Sequence, residues 1–119
     1  LSKTVINNQK FNTIMIYRGK NVKYQTFEKA KGYETIVLFV EIEDVQHSGF
    51  LIKKGDKILP KGEIAKAVRD AKIEGVEMAV APPADTNALM MLRITQDPEK
   101  ILDKVLEVVF DFLEKRGFL

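Results

Sequence analysis

Five consecutive apolar residues, Ile36, Val37, Leu38, Phe39 and Val40, stand between the turn residue Gly32 and an acidic stretch that begins at Glu41. A run this short, rich in Ile, Val and Phe, suits a strand covered on both faces better than a helix. It reads as a central strand, and the rest of the chain must supply its cover and its edge partners.

Upstream, residues 1–10 include three amides and little periodicity, which predicts a flexible arm ahead of a single domain spanning 11–119. Apolar content rises from Phe11 to Tyr17. Arg18-Gly19-Lys20-Asn21 then offers turn chemistry, and Val22, Tyr24 and Thr26 alternate with Lys23 and Gln25. That pattern predicts a β-hairpin with one apolar face. Phe27 to Gly32 reads as a short polar connection. After the buried run, residues 43–49 read as a loop, Phe50-Leu51-Ile52 as the return strand and Ile58-Leu59 as a further short strand beyond a turn at Gly55-Asp56. The pattern Gly49-Phe50-Leu51-Ile52 with Gly55 and Ile58 resembles a small hairpin of several prokaryotic signalling adaptor domains; it spans ten residues, and no function is carried over from it.

The second half changes period. Ile64, Ala67, Val68 and Ala71 recur at helical spacing over residues 63–73, with Gly75 as the expected left-handed end. Residues 76–81 and 88–95 read as two strands joined across Pro82-Pro83, with a helix over 84–94 as the competing reading. Asp97-Pro98-Glu99 combines a capping carboxylate, a proline preset for the first turn and an acid facing the helix dipole, so a long helix starts there. It carries two adjacent apolar rows, one through Ile101, Val105, Val108 and Phe112, the other through Leu102, Leu106, Val109 and Leu113. Such a face predicts one row on the sheet and the other against the first helix or a second subunit. The expected fold class is α+β: an antiparallel or mixed sheet of five to seven strands with two helices packed on one face, in the order ββββ(β)-α-ββ-α.

Composition narrows the chemistry. The chain of 119 residues has no cysteine, which excludes disulfides, thiolate metal sites and cysteine nucleophiles. No window approaches the roughly 20 apolar residues of a membrane span, and the first residues lack the apolar core of a signal peptide, so the expected compartment is the cytoplasm. Charged residues make up 30% of the chain, Cys and Trp are absent and Lys, Glu and Ile are plentiful, a composition resembling that of thermophilic proteins. The net charge of +2 attracts no partner strongly, although residues 1–61 carry eleven basic and six acidic side chains against eight and eleven in residues 62–119.

Three groups of residues could carry function. Ile101, Val105, Val108, Val109 and Phe112 form a candidate self-association face. Arg18, Lys20, Lys53, Lys54 and Lys57 would make a basic patch if the two hairpin turns share an end of the sheet. Glu41, Glu43, Asp44 and His47, the sole histidine, are the only cluster able to offer oxygen and imidazole ligands to a metal. No glycine-rich loop opens a helix, and the only serines, Ser2 and Ser48, lack a nucleophile motif, so neither catalysis nor a cofactor is expected. The leading reading is therefore a non-catalytic interaction or adaptor domain that forms a homodimer through its last helix. A nucleic-acid-binding module using the basic first half is the alternative, and a small ligand-binding protein or enzyme built on the acidic cluster is the third.

Overall fold

In the computed structural model, residue 11, residues 13–30 and residues 32–119 are described, so the expected arm at 1–10 lies outside the described residues. The fold is α+β, with the strands of the described residues divided between two sheets and their two helices covering one side of the larger.

Strands β1 (Thr13–Tyr17) and β2 (Lys20–Ala30) form the first hairpin, with Tyr17 opposite Lys20 across a two-residue turn. Arg18 (φ 47°) and Gly19 (φ 80°) both take the left-handed conformation that such a turn requires. The segment expected to be a connection after Thr26 is strand instead. An irregularity in register between Thr26 and Glu28 lets β2 continue along its neighbour β3 (Tyr33–Val40) to Ala30. β3 is the central strand, and Ile36, Val37 and Leu38 are all fully buried, so both of its faces are covered there.

The other edge of β3 is taken by β8 (Met90–Ile94), which pairs in turn with β7 (Val76–Val80), giving the antiparallel order β1-β2-β3-β8-β7. The expected return strand at residues 50–52 is thus not the partner of β3. It belongs to β5 (Leu51–Lys54), the middle of a separate three-stranded sheet with β4 (Gln46–Ser48) and β6 (Lys57–Pro60). The reason lies in side-chain polarity. β8 alternates buried Met90, Leu92 and Ile94 and can sit inside a covered sheet, whereas Gln46, Lys53 and Lys57 need water on one face.

Helix α1 (Lys61–Asp70) begins right after Pro60 and buries Lys61, Ile64, Ala65 and Val68. The helical spacing anticipated from Ile64 is present, but the face is turned: Ala65 replaces Ala67, Ala71 is exposed and a lysine opens the row. The left-handed residue after the helix is Lys72 (φ 50°); Gly75 (φ 93°) serves the next turn, where an added Cβ would meet Gln96 and Ile101 at 3.0 to 3.1 Å. Helix α2 (Pro98–Lys115) has Asp97 at its cap position, although the carboxylate makes no capping bond. Its buried residues join the inward residues of β2, β3 and β8, together with Ile52, Leu59 and the buried Phe118, in one core.

Candidate functional site

Both apolar rows of α2 are used within the chain. Ile101, Val105 and Val109 are buried, and Val108 and Phe112 are half-buried on the flank that continues toward Arg116, whose Nη1 donates to Glu63 Oε1 of α1 at 2.8 Å. The opposite flank meets β1: the rings of Tyr17 and Phe110 lie edge to face, 4.9 Å between centroids. The width of the apolar face reflects two neighbours, the sheet and α1, inside one chain.

The five basic residues are likewise divided. Arg18 Nη1 donates to Asp111 Oδ1 at 2.9 Å. Lys54 and Lys57, at the tip of the β5–β6 hairpin, donate to the Phe118 and Gly117 carbonyls at 3.2 and 3.1 Å, seating the small sheet on the end of α2. Only Lys20 and Lys53 of the five make no side-chain hydrogen bond or ion pair among the described residues, and they lie on different sheets.

Glu41, Glu43 and His47 do come together, at the end of β3. They line a cleft of about 630 Å³ that also includes Lys20, Asn87 and the wall formed by Phe11 and Phe39, whose rings stand 5.2 Å apart at 85°. Asp44 sits in a left-handed turn (φ 61°) outside the lining. Among the described residues no group of three or more His, Asp or Glu side chains is placed to hold a metal ion. Extended geometry would align Glu41 with Glu43, but the strand ends at Val40 and the chain turns before β4. Glu41 is already engaged, accepting from Asn21 Nδ2 at 2.9 Å and lying 3.6 Å from Lys23 Nζ. The Asn21 hydrogen bond, followed by the charge of Lys23, holds its carboxyl below the usual range.

His47 is turned inward because it pairs with Ile52, which pairs with Leu59, and directly opposed residues share a face of the sheet. Burial, and then the charge of Lys61, push its pKa down to about 4, so at neutral pH it is an uncharged imidazole whose buried Nδ1 has no hydrogen-bond partner among the described residues. Lys61 itself is fully buried at the start of α1. Its Nζ donates to the Ala88 and Thr86 carbonyls at 2.8 and 3.3 Å, and burial lowers its pKa to about 8. Read from the sequence, Lys61 joins Lys53, Lys54 and Lys57 as a lysine bracketing a hairpin tip; the signal for its burial was its place three residues before Ile64 and seven before Val68.

The second missed feature is β1. It is an outer strand of the large sheet, and Ile14 and Ile16 on its outward face are 66% and 72% exposed. At the other margin Met78 and Val80 are 40% and 37% exposed. No helix of the described residues is long and apolar enough to cross a membrane. No protein-family model matches the chain, and neither the curated proteins nor the solved structures contain a significant match to it.

Proposed function

We propose that the chain is a non-catalytic interaction domain that self-associates as a homodimer, and that its contact is strand β1 in place of the last helix. The observation that carries this reading is the pair Ile14 and Ile16, the most exposed large apolar side chains on the molecule's described surface. Among the described residues they stand on an edge strand with none of the usual protections.

Edge strands are ordinarily kept from pairing by charges, prolines or bulges. β7, at the opposite edge, has a register irregularity between Val76 and Met78 and carries Glu77. β1 reads Thr-Ile-Met-Ile-Tyr, pairs regularly with β2 throughout and bears no charge. Two copies of β1 running antiparallel about a two-fold axis oppose no like charges, bring Ile14 of one copy near Ile16 of the other and join two five-stranded sheets into one. A second copy is the partner with which this strand is self-complementary. The basic-patch alternative is weakened by the engagement of Arg18, Lys54 and Lys57 within the chain.

A five-residue strand contact is smaller than the roughly 1,600 Å² of a standard interface, so the dimer is expected to dissociate in the micromolar range. Light scattering should show a mass about 1.8 times that of the chain at concentrations around ten times that constant, and Ile16→Lys should give a folded monomer. A wild-type monomer at all concentrations, or a dimer unaffected by Ile14→Lys with Ile16→Lys, would refute the reading.

A further inference from the structure

The cleft at the end of β3 has a charge balance that selects its ligand. Of the four charged residues on its lining that bear on the argument, Glu41 and Lys23 pair with each other, 3.6 Å apart. One cation, Lys20, and one anion, Glu43, are left without a side-chain hydrogen bond or ion pair among the described residues. His47 adds an uncharged imidazole and Asn87 an amide, and Phe11 and Phe39 supply an apolar wall. Its volume, about 630 Å³, lies within the range of small-molecule sites, which typically join apolar walls to a few convergent polar groups.

We propose that this cleft binds a small zwitterion with an apolar substituent, the chemical class of free α-amino acids with aromatic or aliphatic side chains. Lys20 takes the carboxylate, Glu43 the ammonium group, and the Phe11–Phe39 wall the side chain. A ligand with one charge engages one of the two residues and leaves the other to water, forgoing one charge-assisted contact. A zwitterion satisfies both. The contact requires no metal and no reaction, and it is independent of the β1 contact, since the cleft lining includes no residue of that strand.

Calorimetric titration of the full chain tests this with L-phenylalanine and L-leucine beside two analogues of one charge each, 3-phenylpropanoate and 2-phenylethylamine. The amino acids should bind with a dissociation constant near about 1 mM, and the analogues at least about tenfold more weakly. Lys20→Ala and Glu43→Gln should each weaken amino-acid binding about tenfold without moving the melting temperature of the unliganded chain, while Lys53→Ala binds like the wild type. Absence of amino-acid binding at about 10 mM, equal affinity for the one-charge analogues, or indifference to both cleft substitutions would overturn the proposal.

Discussion

Lys61 is enclosed by the core and His47 is half-enclosed beside the cleft, and neither has a carboxylate partner among the described residues. Their signs on the pH axis follow from that enclosure. His47 has an ordinary value of 6.5 that falls to about 4 on folding, so the unfolded chain binds the extra proton between those values and stability is lost as pH drops through them. Lys61 falls from 10.5 to about 8, so its enclosed charge opposes folding below pH 8 and that penalty is relieved as pH rises toward 10.5. Urea titrations from pH 5 to 9.5 should therefore show stability rising in both windows. His47→Leu should flatten the acid limb, by about 1 kcal/mol between pH 6.5 and 5 for a group only half-buried, and Lys61→Met the alkaline one. Slopes unchanged in these variants would mean that other groups set the profile. The spacing of Lys61 to Ile64 and Val68 was its one trace in the sequence, whereas a histidine beside acids reads as a ligand, because which face of the β4–β5 hairpin turns inward is decided only by packing.

At the scale of elements, α2 shows how a helix can look like an interface and be core. Its spacing, its proline at the first position and its closing Gly117 are all local features, and the helix forms where they place it. What local features leave open is the identity of the neighbours. The row through Val105 meets the chain's own core, so Val105→Glu should lose the folded state, measured as loss of the helical circular dichroism signal, because an unpaired buried carboxylate costs several kcal/mol. A folded, monomeric Val105→Glu protein would return the contact to α2. Ile16→Lys, on an exposed residue, is expected to keep the fold, so the two substitutions separate an internal face from an external one. α1 carries the same lesson: its period was visible, but its buried face turned so that Lys61 leads the row.

For the whole molecule, the small sheet is part of the main core. Ile52 and Leu59 pack in the same cluster as Leu106 and Phe110, and Lys54 and Lys57 bind the carbonyls that follow α2. Removing volume from the small sheet should therefore lower the stability of the entire chain. Leu59→Ala is expected to cost about 3 kcal/mol and to shift a single thermal transition, the same by circular dichroism and by calorimetry. Two separated transitions would show the small sheet to be an independent unit.

The apolar strand at Ile36 to Val40, a hairpin turn within residues 18–21 and the start of α2 at Asp97-Pro98 were determined by the sequence itself, since each rests on the conformational preferences and periodicity of adjacent residues. Tertiary structure alone decided that β8 and not residues 50–52 takes the free edge of β3, that α2 buries Ile101, Val105 and Val109 in the chain's own core, that Glu41, Glu43 and His47 share a cleft without Asp44, and that β1 stands exposed. These outcomes depend on which distant surfaces bury the most apolar area together, a competition settled only when the elements pack.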